Sequence, residues 1–174
     1  MAAGILICGL NGAGKSTLGK ALAEELGFRF IDSEDLYFPK TDPAHPYAVS
    51  RTRGEVESLL LHKIREHGSF VFTSVKGDYG AEAVSCFRCA VLMEVPREIR
   101  LQRVRDRSFR KFGERMLPGG DLYEQEERFF DFAASRAEDA AAEWAKTLRC
   151  PVIRVDGTRS VEKNIAYILT RIKM

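Results

Sequence analysis

Several classes of protein are excluded by what this chain lacks. No apolar run approaches the length that spans a bilayer, and the first residues lead directly into a short apolar segment with no basic region or cleavage site. The expectation is a cytoplasmic protein that engages no membrane. Four cysteines, Cys8, Cys86, Cys89 and Cys150, are too scattered in a chain of 174 residues to suggest a disulfide framework. Cys86 and Cys89 form a single C-x-x-C with no second pair and no nearby histidine, which argues against a zinc site. Cys8 reads as a small core residue. The formal net charge of +2 is too small to argue for nucleic acid or an acidic membrane surface as partner. There is no internal repeat, low-complexity tract or linker, and 174 residues suit one domain with a sizeable core.

What the chain does have is concentrated near its start. Gly4-Ile5-Leu6-Ile7-Cys8 reads as an apolar strand, Gly9-Leu10-Asn11-Gly12-Ala13-Gly14-Lys15-Ser16-Thr17 as a glycine-rich turn, and the residues from Leu18 onward as a helix. Gly9, Gly14, Lys15 and Ser16 fill every fixed position of the phosphate-binding pattern G-x-x-x-x-G-K-S/T, the Walker A motif. That spacing has a geometric reason. Glycines let the backbone curl until consecutive N–H groups converge on an anion, and the helix that follows adds the positive end of its dipole. Gly9, Asn11, Gly12, Ala13, Gly14, Lys15, Ser16 and Thr17 are therefore the expected contacts of a nucleoside triphosphate. Lys15 would reach the terminal phosphates and the Ser16 hydroxyl would hold Mg2+.

Downstream, Leu18, Leu22, Ala23 and Leu26 recur at helical spacing and Gly27 caps the helix. A strand from Phe28 to Ile31 leads into Asp32-Ser33-Glu34-Asp35. This acidic cluster stands where open α/β sheets bind ligands, and it also suits a plain helix start. Residues 38–47 contain Pro39, Pro43 and Pro46 and read as a loop. Thr52 and Glu55 have capping-box spacing for a helix that runs to Gly68. Arg51 and Arg53 stand at its start, where positive charge is not favoured, so anion binding and simple exposure both stay open. A third strand, Ser69 to Val75, opens into the polar loop Lys76-Gly77-Asp78-Tyr79-Gly80.

A fourth strand, Cys89 to Val95, precedes Pro96, expected as the first residue of an arginine-rich helix. Ile99, Leu101 and Val104 are expected to pack one side of it. Arg103 and Arg107, four apart, share another side and suit nucleotide phosphates. A solvated basic face and a nucleic-acid footprint are the alternatives. Phe112-Gly113 through Pro118-Gly119-Gly120 reads as a hinged cover. Asp121 and Glu124 have capping-box spacing for one long helix with Leu122, Phe129, Ala133, Ala137, Ala140, Trp144 and Leu148 as its stripe; Arg128 and Arg136 on it are candidates to reach the active site that the sequence does not place. Pro151 to Val155 is a last strand, Asp156-Gly157-Thr158 its turn, and Ser160 the N-cap of a closing helix to Ile172. Five strands alternating with helices make an α/β layered fold with a mainly parallel sheet.

The loop from Gly9 to Thr17, the acidic turn after strand two and the arginine-rich helix after strand four together resemble the P-loop small-molecule and nucleoside monophosphate kinases. Shikimate, gluconate and adenylate kinases belong to that group, as does a branch named AAA-family ATPases. The resemblance implies a P-loop NTPase domain over residues 1–174, a five-stranded sheet ordered 2-3-1-4-5 and a lid over residues 108–120. It implies that Arg103 and Arg107 contact ATP or the transferred phosphoryl group, and that Val155-Asp156-Gly157-Thr158 passes the adenine ring. It also implies that Asp32, at the magnesium site with Ser16, organises the metal or receives the acceptor hydroxyl's proton. Two departures matter. The glycine triplet that follows strand three in shikimate kinases is replaced by Ser74-Val75-Lys76-Gly77-Asp78, which argues against shikimate itself. The aspartate that closes strand three is missing, so its metal role would fall to Asp32, Asp78 or water.

The expected function is ATP- and Mg2+-dependent phosphoryl transfer to a small molecule bearing a hydroxyl or phosphate. Lys15, Asp32, Arg103 and Arg107 would be catalytic, and Arg51, Arg53, Lys76 and Asp78 would form the acceptor pocket. Two rival readings stay open: an ATP-binding switch that passes no phosphoryl group on, and RNA or polynucleotide end processing.

Overall fold

The computed structural model describes residues 3–172. Five parallel strands, β1 (Ala3–Cys8), β2 (Arg29–Asp32), β3 (Ser69–Ser74), β4 (Phe87–Glu94) and β5 (Val152–Asp156), form one sheet in the order β2-β3-β1-β4-β5. The helices are α1 (Lys15–Leu26), α2 (Ser33–Tyr37), α3 (Arg53–His67), α4 (Ala81–Ser85), α5 (Arg97–Phe112), α6 (Tyr123–Ser135), α7 (Ala140–Ala145) and α8 (Val161–Leu169), with a 3-10 turn at Gly113–Met116. β1 is apolar along its length because it lies at the centre and is covered on both sides. Its alternate residues divide between two layers. Ile5 and Ile7 pack with Leu22, Val91 and Ile168, and Leu6 and Cys8 pack with Leu60, Phe70 and Phe72.

The strand order carries the site with it. β1 and β3 run in register, so Cys8 lies opposite Ser74, and β2 pairs with β3 so that Asp32 lies opposite Thr73. The chain therefore leaves β1, β2 and β3 at neighbouring points on one edge of the sheet, which gathers the glycine loop, Asp32 and the 75–80 turn. α1 is held close to that edge through Gly19, where a Cβ would come within 2.4 Å of the Thr73 methyl. The predicted caps form: Gly27 adopts φ 67° at the end of α1, Thr52 and Glu55 make a complete capping box on α3, and Ser160 caps α8.

Three local expectations are corrected. Pro96 is the N-cap of α5, one position before its first helical residue. The buried side of α5 is Arg100, Val104, Ser108 and Phe112, a run at four-residue spacing, and Ile99 is 41% exposed. The single long helix after Asp121 is two helices, broken over 136–139. The capping box at its start does not form, because both carboxylate oxygens of Asp121 are taken by Arg115 at 2.9 and 2.8 Å and Leu122 stands at the N-cap. At the break the Ser135 hydroxyl donates to the Phe132 carbonyl, and the next residues turn Arg136 over the Phe132 ring and Glu138 toward Arg97 and Arg100. A third apolar cluster, Val104, Phe112, Met116, Leu122 and Phe130, seats the 113–122 segment against α5 and α6.

Candidate active site

The loop between β1 and α1 is shaped by contacts that admit no larger residue. The Gly9 N–H donates to the Val75 carbonyl at 3.3 Å. At Gly12, with φ 83°, an added Cβ would stand 2.2 Å from the Arg100 carbonyl oxygen. Gly14 adopts φ 92° as the N-cap of α1 and supplies no capping side chain, so the first amides of the helix are left to an outside acceptor. Lys15 folds back on the loop, its Nζ donating to the Leu10 carbonyl at 3.0 Å. Burial pushes its pKa down to about 8. Asp32 opposes that shift, and Arg107 and Arg136 add to it.

Asp32 serves two partners. Its Oδ1 accepts from the Glu34 N–H at 3.0 Å, which caps α2, and its Oδ2 accepts from the Ser16 hydroxyl at 2.5 Å. The helix-start and functional readings of the acidic cluster thus describe the same side chain. A hydroxyl and a carboxylate in contact are hard oxygen donors of the kind Mg2+ takes, with further positions left to water and phosphate. Among the described residues no group of three or more His, Cys, Asp or Glu side chains gathers to hold a metal. Any Mg2+ here would therefore depend on the nucleotide's own oxygens.

The two arginines of α5 are placed differently. Arg103 Nη1 and Nη2 each donate to the Gly157 carbonyl at 3.2 Å, and Nη1 reaches the Gly12 carbonyl at 3.4 Å. It thereby ties the glycine loop to the turn after β5. These parts border a cavity of 390 Å3 that also meets Arg110 and Arg159. Arg107 has no hydrogen-bond partner among the described residues, and it stands at the junction of this cavity with two others. One of these, 660 Å3, reaches from Lys15, Ser16 and Asp32 to Arg53, Lys76 and Arg136. The other, 540 Å3, lies between Ser16 and Asp32 and a wall of Glu34, Tyr47, Lys111 and Glu126.

Of the four residues expected to bind an acceptor, three line the 660 Å3 cavity: Arg53, Lys76 and Asp78. Arg53 pairs with the Asp78 carboxylate at 3.4 Å and Glu57 at 3.3 Å and stacks over Tyr79. Arg51 does not line it. Its Nη1 donates to the Leu36 carbonyl at 2.9 Å, and its N–H donates to the Tyr37 carbonyl at 2.7 Å, so it anchors α2. Arg128 is exposed. Arg136 enters the cavity instead. Its Nε is buried without a partner among the described residues, its guanidinium lies 4.5 Å over the Phe132 ring, and burial holds its pKa below the usual arginine value. The helical pattern singled out Arg128 and Arg136 alike and placed neither, because the position of Arg136 follows from the α6–α7 break. Arg100 was missed, although its four-residue spacing from Val104 and Ser108 was a legible sign of burial.

Residues 5–128 match the AAA domain, a span that runs from β1 through the site and into α6. The chain belongs to the AAA domain family. Over 173 residues it is 28% identical to the uncharacterized protein YqaC of Bacillus subtilis, covering 95% of this chain and 94% of that one. A stretch of 37 residues is 57% identical to shikimate kinase 2 of Yersinia enterocolitica, covering 21% of each chain. Among solved structures, a shikimate kinase from Acinetobacter baumannii in complex with shikimate superposes with TM-score 0.58 at 22% identity, over 99% of this chain and 97% of that chain. A gluconokinase from Sinorhizobium meliloti superposes with TM-score 0.57 at 15% identity, over 97% of this chain and 90% of that chain. These likenesses are of fold, and the five-stranded 2-3-1-4-5 sheet is the P-loop kinase sheet.

Proposed function

We propose that this protein transfers the γ-phosphoryl group of ATP to a small molecule bearing a hydroxyl or phosphate. One observation carries the reading. Arg107, without a hydrogen-bond partner among the described residues, stands where the 390 Å3 cavity beside the glycine loop meets the 660 Å3 one, which runs from Lys15 and Ser16 on to Lys76 and Arg136. A nucleotide switch needs the first cavity and only the Lys15–Ser16 end of the second. Phosphoryl transfer needs the Lys76–Arg136 end as well, with charge stabilisation between donor and acceptor.

In this reading the loop amides and Lys15 hold the β- and γ-phosphates, and Arg103 and Arg107 offset charge on the transferred group. Ser16 and Asp32 would hold Mg2+, which when bound neutralises phosphate charge. Asp32 also lies at the start of the acceptor cavity, where it orients water or takes the acceptor's proton. Arg53 and Asp78 hold each other in place, leaving Lys76 and Arg136 to meet the acceptor, so a negatively charged group on that acceptor fits best. Residues 108–120 act as the lid, closing on the loop at 38–52 to exclude water. Contacts between the two exist already: Lys111 Nζ donates to the Tyr47 hydroxyl at 2.6 Å and Arg115 Nη2 lies 3.4 Å from His45 Nε2.

The reading is tested by thermal melting with ADP and Mg2+, alone and with a panel of small hydroxylated acids and phosphates. An acceptor is expected to raise the melting temperature beyond ADP alone in the wild-type chain and to lose that effect in Lys76→Ala. A nucleotide switch would respond to ADP and to no compound in the panel.

A further inference from the structure

Arg100 is a charged side chain that the proposed phosphate chemistry leaves unused. It is 2% exposed, on a helix otherwise rich in exposed arginines, and it borders neither the 390 Å3 cavity nor the 660 Å3 one. Its Nε donates to the Val95 carbonyl at 3.2 Å and its Nη1 to the Asn11 carbonyl at 3.1 Å. Its Nη2 donates to both carboxylate oxygens of Glu138, at 2.9 and 2.8 Å. Arg97 Nη1 also donates to Oε1 of this carboxylate, at 3.0 Å. All three guanidinium nitrogens are engaged by the protein, so Arg100 is no phosphate ligand. Its partners are a strand end, the glycine loop and the break between α6 and α7.

The contact with Asn11 has a direct consequence for the loop. A trans peptide is planar, with its C=O and N–H pointing in opposite directions. Drawing the Asn11 carbonyl toward Arg100 therefore turns the Gly12 N–H the other way. Asn11 and Gly12 border the cavity that contains Lys15 and Ser16. The backbone of Arg100 fixes the same point, since only glycine at position 12 clears its carbonyl. A loop amide aimed before the ligand arrives costs no ordering on binding.

We propose that Arg100, braced by Glu138, is a positioning residue that presets the Asn11–Gly12 peptide for the nucleotide's phosphates. The α6–α7 break thereby shapes a loop more than a hundred residues earlier in the chain. The proposal rests on a nucleotide phosphate occupying that loop. Glu138 acts through Arg100 and touches no ligand.

The test compares ADP with adenosine by calorimetry in the presence of Mg2+, using the wild-type chain, R100K, E138Q and the double variant. The Glu138 side chain is 50% exposed, so E138Q retains the fold and carries the test even where R100K does not fold. ADP binding is expected to weaken about tenfold in R100K and about threefold in E138Q, within the range of one lost hydrogen bond. Adenosine binding should stay at the wild-type value, because adenosine does not use the loop. The double variant should bind ADP no more weakly than R100K, as expected for two residues acting in series. Equal weakening of ADP and adenosine would overturn the proposal in favour of a merely structural role. Wild-type ADP affinity in the variants would overturn it and leave the nucleotide reading intact. Absence of ADP binding to the wild-type chain would overturn both.

Discussion

The two sides of the candidate site are built by different means. The phosphate side is nine consecutive residues whose shape is set by backbone: glycines at positive φ, the Leu10, Asn11 and Gly12 carbonyls held by Lys15, Arg100 and Arg103, and the open start of α1. The acceptor side is assembled from side-chain ends contributed by the start of α3, the 75–80 turn, α2 and the α6–α7 break. A phosphate can be recognised by backbone amides, which every sequence possesses, so its site depends on conformation and on where glycine stands. An acceptor is recognised by particular side chains brought together from distant positions. Substitutions on the two sides should accordingly have separate effects.

The largest effect is expected at Gly12. Alanine there meets the Arg100 carbonyl at 2.2 Å and a left-handed backbone together, so ADP affinity should fall about a hundredfold, ~2.8 kcal/mol. Calorimetry that finds wild-type affinity in Gly12→Ala would break the claim that backbone shape governs the phosphate side. Next are Lys15→Ala and Arg107→Ala, each expected to lower turnover at least tenfold, equivalent to ~1.4 kcal/mol in the barrier. Steady-state rates of ATP consumption check this, and full activity in the Lys15 variant would contradict the mechanism.

A pH effect follows from the same lysine. Burial sets its pKa to about 8 in the free protein, and a phosphate beside it raises that value. Between the two values the bound state carries the extra proton, so nucleotide binding just above pH 8 should take up a proton and weaken as pH rises. Calorimetry in two buffers of different ionisation enthalpy reads the uptake, which should vanish in Lys15→Met. Smallest on the nucleotide is Lys76→Ala. ADP affinity should change by less than about twofold, while the acceptor's KM rises roughly fivefold, the size of one lost hydrogen bond. If Lys76→Ala weakened ADP and left the acceptor unaffected, the division into two sides would fail.

The same contrast explains what could be read from sequence. The glycine loop, its strand and helix, and the capping box of α3 follow from local pattern, and each is found at the expected residues. The 2-3-1-4-5 order came through resemblance, since strand order is set by pairings between distant segments. Arg53, Lys76 and Asp78 were legible as polar residues at strand and helix ends, and the cavity unites them. Arg51 was equally legible and turns to the α2 carbonyls, because two residues along a helix start the side chain points elsewhere. Arg100 was overlooked although its spacing from Val104 and Ser108 marks it as buried, and Arg136 could be put on a helix but not placed. The stripe from Leu122 to Leu148 is regular enough to read as one helix, and its break is accompanied by the Ser135 hydroxyl's bond to the Phe132 carbonyl and by the pull of Arg97 and Arg100 on Glu138.

The central claim is that the second cavity receives a phosphoryl group. Mass spectrometry of a small-molecule pool incubated with ATP, Mg2+ and the protein addresses it most directly. The account predicts one compound, carrying a negatively charged group, that gains a single phosphoryl group as ATP is consumed, and no such product with Lys15→Ala. Consumption of ATP to ADP and inorganic phosphate, with no compound in a broad pool gaining mass, would contradict it.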